Sequence, residues 1–365
     1  MFTGEKLEDR KKNGRIQYID ALRGFSMILV VFGHVMVENF AEEDIAVTEI
    51  AGTFRMPLFF FVSGFFAFRA SEKWSKIVAE RVLKLKFQAQ IVGMFVFYML
   101  FQYVYNLPAG TFLQEGFTTY WFTVALFQMF IVYFCLAMAA KFMRCDRIVD
   151  VGMLLMVGLT LFMVAGFGYY RMQEIHVFRF LSWPRLCINF QFFAAGIFAR
   201  KYFPYFENLI RKNHIRTTAI VSYVLLLVLM FDESFKNMSQ LAYMAVHDEL
   251  VKYAGLLVIF IFFFNSGTYF DGDSRPSKWL KYVGTRTLDI YYLHYFFIPA
   301  LPWLATSISD SNGNMAVAQL LIGGGISVAI VCVCLFVSSV IRSSSTLATW
   351  LFGAKPLQKK ESLKC

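Results

Sequence analysis

An all-α, polytopic membrane protein of about ten transmembrane helices is the fold class the sequence predicts, and three observations carry it. Of the 365 residues, 58% are hydrophobic and 16% charged, with 43 phenylalanines; a soluble domain of this length needs far less apolar surface. The apolar residues fall in runs long enough to cross a bilayer, for which roughly 20 residues suffice. The basic residues, which bring the net charge to +10, cluster between alternate runs. That is the pattern of the positive-inside rule and not of a nucleic-acid-binding face.

Residues 1–16 are polar and read as a cytoplasmic lead, residues 17–341 as the membrane domain and residues 342–365 as a cytoplasmic tail. The spans read from the runs are Tyr18–Val37, Phe54–Ala70, Phe87–Tyr105, Thr119–Ala140, Val149–Tyr169, Cys187–Ala199, Ala219–Phe231, Val251–Phe264, Leu288–Ala305 and Val317–Ile341. With the N-terminus inside, about 28 of the 35 Lys and Arg lie on the cytoplasmic side, which makes both termini cytoplasmic. The acidic loops Glu38–Glu49 and Asp232–Glu233 lie opposite. No cleavable leader is read, because the first run is long, polar-studded and lacks a small-residue cleavage site. The six cysteines have no zinc-ligand spacing, so neither a structural disulfide nor a metal site is expected.

Within that order each element has its own signal. Pro57, early in the second span, suits a helix start or a kink, and Gly64 beside Ser63 permits close helix approach. Glu72–Lys86 reads as an amphipathic cytoplasmic helix, with Trp74, Ile77, Val78, Val82 and Leu85 against Lys73, Lys76, Arg81 and Lys84. Tyr120 and Trp121 open the fourth span as an interfacial belt. Arg171, Arg179 and Arg185 sit in an external connection, against the charge rule. The sixth span, with Asn189, Gln191 and Gly196, is short and polar and is expected in the interior. Pro299 and Pro302 should kink the ninth.

The chemistry concentrates in Arg15–Val37. This span carries Asp20, Arg23 and His34. At about 100° per residue, Arg23 and His34 project within roughly 20° of each other, with Asp20 on the same side. A charge at bilayer depth costs at least ~2.5–3.5 kcal/mol, so the stripe should face protein or a water-filled passage. Imidazole can accept and return a proton near neutral pH, and guanidinium is a fixed cationic fork for an anion. Together they suit transfer of a group from a phosphorylated carrier. Arg15 reads as an edge anchor.

Other candidates are weaker. Arg55 is external and could approach the His34 end of the first helix across a short loop. Arg81, Lys84 and Lys86, cytoplasmic of the stripe, could clamp a nucleotide phosphate or could be a solvated basic loop. His294, among Tyr291 and Tyr292, could be structural or part of the site. His247-Asp248-Glu249 is explained most simply as helix capping. No P-loop, GxGxxG, GxSxG or HExxH motif occurs. An enzyme and a proton-coupled transporter or flippase of a glycan or anionic substrate both fit such a stripe, although inverted-repeat hydropathy is missing. A non-catalytic sensor has nothing specific in its favour.

The motifs taken together resemble the acyltransferase-3 family of integral-membrane acyltransferases. The pattern is Arg15…Asp20…Arg23-Gly24…His34, followed by Pro57-Leu58-Phe59-Phe60-Phe61-Val62-Ser63-Gly64-Phe65. Weaker echoes are Trp121-Phe122…Ala125-Leu126-Phe127, Phe192-Phe193…Gly196 and Asp289-Ile290-Tyr291-Tyr292-Leu293-His294. The polar residue before Met-Pro-Leu-Phe-Phe is similar to the sugar O-acetyltransferase branch. The resemblance implies a ten-helix enzyme of the bacterial inner membrane that takes acetyl from acetyl-CoA in the cytoplasm to a hydroxyl of a surface or lipid-linked glycan. It implies His34 as the essential histidine with Arg23 as its helix partner, and Arg81 and Lys84 as the family's basic pair; beside these, Asp20 is read as a further catalytic candidate and Lys86 and Arg15 as further donor-binding candidates. Arg55, Ser63, Trp121 and His294 would then meet the acceptor. Lys84 stands where the family often has a second arginine, which keeps the charge but loses the fork, and Arg55 stands where related chains often have histidine. No hydrolase-like domain of the kind some relatives carry is read here, so a relay through one is expected to need a separate partner. Lipid and glycan are the expected partners, a homo-oligomer is compatible with the sequence, and no nucleic acid is expected.

Overall fold

A computed structural model describes residues 17–40, 46–70, 73–108, 116–232, 249–272, 274–301 and 315–354. Among the described residues there is no strand. The first half comprises α1 Gln17–Phe40, α2 Ala46–Ala67, α3 Lys76–Phe87, a π-helix over Gln88–Val92, α4 Gly93–Val104, α5 Trp121–Met143, α6 Arg147–Phe167, α7 Tyr169–Glu174, α8 His176–Phe180 and α9 Trp183–Lys201. The second comprises α10 Phe203–Arg211, α11 Asn213–Met230, α12 Val251–Asn265, α13 Gly267–Asp271, α14 Arg275–Thr285, α15 Thr287–Leu293, a 3-10 turn His294–Phe297, α16 Met315–Ile341 and α17 Ser345–Phe352. Among the described residues, 7 helices are long and apolar enough to cross a membrane: α1, α2, the α3–π–α4 run, α5, α6, α11 and α16. The apolar helix α12 is shorter. Large apolar side chains such as Leu154, Leu155 and Phe162 on α6 and Leu225 and Val228 on α11 are exposed, as helices that meet lipid require.

The chain divides into two compact units, one of residues 1–59 and 204–333, the other of residues 60–203 and 334–365. In the first unit α1 packs against α12, α13, α14 and α15. Glycine sets the α1–α14 distance. A Cβ on Gly24 would overlap the Leu280 carbonyl oxygen, and one on Gly284 would overlap that of Asp20. Lys281 Nζ donates to Gln17 Oε1 at 2.7 Å beside this crossing. The start of α2 meets α11, where the Thr53 and Tyr223 hydroxyls are hydrogen-bonded at 3.0 Å.

The ninth predicted span is broken instead of kinked. α15 ends at Leu293, a 3-10 turn follows, and Ile298 is extended at φ −73 and ψ 115. Pro299 has no N–H for the Tyr295 carbonyl and drives the residue before it out of the α region, so the break falls one turn before the proline; Pro302 lies outside the described residues. The break leaves this segment alongside α1. Arg23 meets Thr287, His34 meets Tyr295 and Asn39 meets Leu301. The pairs ascend together, so the two segments run in the same direction, as the first and ninth of the predicted order should.

In the second unit, the end of α2 lies against α9. Cβ atoms on Gly64 and Gly196 would overlap the carbonyl oxygens of Phe193 and Phe61, respectively, so both glycines are required by close backbone approach. α5, α6 and α9 pack on one another, and Asn189 and Gln191 of α9 are buried. They donate to their own helix, at Arg185 O (2.8 Å) and Ile188 O (3.1 Å). Pro57 is inside α2, not at its start. The connection with three arginines, expected outside, is not a plain loop: it forms α7 and α8, and Arg185 lies in the first turn of α9.

The amphipathic segment before the third span is also different from its sequence reading. Ser75 caps α3 by accepting from Val78 N–H at 3.2 Å. Trp74, just outside, is buried while Ile77 is exposed. α3 then runs through the π-helix into α4 as one 29-residue helix, Lys76–Val104, so the basic segment is the first part of a helix long enough to span and not a separate helix. The tail holds α17, which packs on the π-helix. Its helix ends at Gly353 with φ +60, and a Cβ there would lie 2.5 Å from that of Ala89; glycine serves both the left-handed cap and the close approach.

Candidate functional site

α1 presents its polar residues to the broken ninth segment. Asp20 is buried, whereas Arg23 and His34 are half-buried. Arg23 Nη2 donates to Thr287 Oγ1 at 3.1 Å. One face of the helix further along, His34 Nε2 and the Tyr295 hydroxyl are hydrogen-bonded at 3.1 Å. The stripe therefore faces protein, as the cost of charge in hydrocarbon requires.

His294 backs this contact. Its ring is fully buried, 5.2 Å from that of His34 and 4.1 Å from that of Tyr295. His294 Nδ1 lies 3.1 Å from the Ile290 carbonyl oxygen. A carbonyl only accepts, so Nδ1 carries the hydrogen and Nε2 is an acceptor; it has no partner among the described residues.

Arg55, from α2, completes the cluster. A Cβ on Gly33 would overlap Arg55 Nη1 and lie 2.7 Å from Cζ, so the guanidinium rests on α1 at the residue before His34. Nη1 is buried and has no hydrogen-bond partner among the described residues. Four side chains are thereby gathered in the first unit: His34, Arg55, His294 and Tyr295. They offer a proton acceptor, a fixed cation and a hydroxyl within a small, half-buried volume.

The remaining candidates lie in the second unit. Arg81 and Lys84 are exposed, three positions apart on α3 and so on one face. Neither is ion-paired among the described residues, so both are available to the phosphates of a nucleotide-bearing donor. Lys86 has its Nζ 5.0 Å from the Phe130 ring centre. Ser63 is half-buried. Trp121 packs on Phe60 and carries the Arg185 guanidinium over its ring at 5.1 Å. Arg15, His247 and Asp248 lie outside the described residues.

Three residues in the cluster have no mark in the sequence reading. Tyr295 follows His294 directly, Gly33 precedes His34, and Thr287 opens the stretch containing Asp289 and Tyr291. Their adjacency to candidates is the one signal that could have raised them.

The family model for an acyltransferase domain, that of the acyltransferase-3 family, matches residues 16–337. No curated protein and no solved structure matches the chain. The matched stretch takes in the whole cluster on α1, α2 and the ninth segment, together with the basic end of α3. On this match, with helices fit to cross a membrane, the chain belongs to the acyltransferase-3 family and is a membrane acyltransferase.

Proposed function

We propose that the protein is an O-acyltransferase of a bacterial inner membrane. It moves an acetyl or other short acyl group from cytoplasmic acetyl-CoA to a hydroxyl of a surface or lipid-linked glycan. The observation that carries this reading is the half-buried His34 imidazole held between Tyr295 and the ring of His294, next to a guanidinium with an open donor. The donor's thioester supplies an acyl carbon activated for attack. Arg81 and Lys84 bind the donor's phosphates by charge. His34 either takes the proton of the attacking hydroxyl and returns it to the leaving sulfur, or carries the acyl group itself. Arg23, fixed by Thr287, orients an anionic group near the cytoplasmic end of the same stripe, beside Asp20. Arg55 and His294 meet the acceptor, with Ser63 and Trp121 as further contacts.

The test is mass spectrometry of surface glycans from cells with the gene, without it, and complemented with His34→Ala. A mass difference of one acetyl that the variant does not restore supports the proposal. Unchanged acylation in the deletion strain rejects the glycan acceptor. Positioned general-base catalysis contributes about 10²–10⁴-fold, so His34→Ala should lose activity on that scale while inserting normally.

A further inference from the structure

The hydrogen bond between His34 and Tyr295 decides which ring nitrogen can work. We propose that His34 acts through Nδ1 and that Tyr295 is its positioning residue, holding Nε2. This rests on the reading of His34 as proton acceptor or acyl carrier and adds the nitrogen and its partner to that reading.

Imidazole has two nitrogens, and the role of each is set by what the other is bonded to. Nε2 lies 3.1 Å from the Tyr295 hydroxyl. Among the described residues Nδ1 makes no hydrogen bond, and the ring is only half-buried. When His34 takes a proton, both nitrogens carry hydrogen and the ring is cationic. With the resting ring carrying its hydrogen on Nε2 and donating it to the phenol oxygen, the lone pair is on Nδ1 and the new proton enters there. If His34 instead carries the acyl group, the bond to the acyl carbon forms at Nδ1 as the carbon–sulfur bond breaks. Nε2–H stays on Tyr295, and the sulfur leaves with the electron pair.

The placement of Tyr295 is built into the fold. It stands on the 3-10 turn created by the break ahead of Pro299, not on a continuous helix. Its ring is backed by His294 at 4.1 Å, and His294 is itself tied to the Ile290 carbonyl. The phenol is thus aimed by two fixed neighbours, the arrangement expected of a group that orients a reactive imidazole.

The experiment compares Tyr295→Phe with replacement of His34 by Nε2-methylhistidine in that same Tyr295→Phe background, where the methyl group has room. A hydrogen bond to a charged partner corresponds to about 10–100-fold in rate, so Tyr295→Phe should lower kcat by that factor with KM for the donor unchanged. Methylation of Nε2 should cost nothing further. The proposal is overturned if the methylated protein falls to the level of His34→Ala, or if Tyr295→Phe leaves kcat intact. Full activity of His34→Ala would be a separate failure, that of the catalytic reading itself.

Discussion

The Arg55 guanidinium occupies the space into which a side chain on Gly33 would project. An alanine at 33 must therefore push Arg55 off the first helix, away from His34. Gly33→Ala should reduce acyl transfer by about 10-fold or more, the scale of one misplaced charge-assisted hydrogen bond. Because the nearest atoms in the way all belong to Arg55, the loss should be strongly non-additive. In an Arg55→Ala background the same substitution should change little, and a double-mutant cycle of transfer rates measures this directly.

Gly284 gives a stability counterpart. A Cβ there overlaps the Asp20 carbonyl oxygen, and backbone cannot swing aside as a side chain does. Gly284→Ala should destabilise the protein by about 1–3 kcal/mol or more. The control is Gly324→Ala, where a Cβ meets nothing within 4 Å. Thermal unfolding in detergent should lower the midpoint for the first and not for the second; equal midpoints would contradict the close α1–α14 contact.

The three cations proposed to hold the donor differ in setting: Arg81 and Lys84 are exposed, whereas Lys86 lies over Phe130. Arg81→Ala and Lys84→Ala should each raise KM for acetyl-CoA about tenfold at low salt, with the difference from the wild type shrinking as salt screens the attraction. Lys86, whose ammonium sits over Phe130, should affect KM far less. Lys84→Arg restores the planar fork and should lower KM. Initial rates across donor concentration decide among these.

Tyr133 ties the turn ahead of that basic helix to α5. Its hydroxyl accepts from Arg69 N–H at 2.9 Å and donates to the Arg69 carbonyl at 3.2 Å. Tyr133→Phe keeps the ring and removes both bonds. It should cost about 1–3 kcal/mol, read as a lower thermal midpoint, with KM for the donor rising because the turn leads into α3.

The fold class was legible because membrane helices must satisfy their backbone internally and so advertise themselves as long apolar runs. The shared face of Arg23 and His34 was legible for the same periodic reason, and both do meet the ninth segment. What periodicity could not show was where a run ceases to be helix. Pro299 and Pro302 were read as kinks, yet the backbone leaves the helix at His294, and that departure is what aims Tyr295. Nor does residue type alone say which charge is available: Lys86 and Lys84 look alike in the sequence, but one is on an aromatic face and the other is exposed. Gly33 was invisible because its purpose lies in what fills the space it leaves, the Arg55 guanidinium, whereas Gly64 was legible beside Ser63.

The partners of the opening helix come late. Arg23, His34 and Asn39 find these at Thr287, Tyr295 and Leu301, so about 260 further residues must be made before each contact can form. A nascent chain halted before its ninth hydrophobic segment would carry the His34 imidazole and the Arg55 guanidinium of α2 without the Tyr295 phenol. The opening helix is thus completed only by a segment made long after it, which ties activity to the joining of two distant stretches of chain.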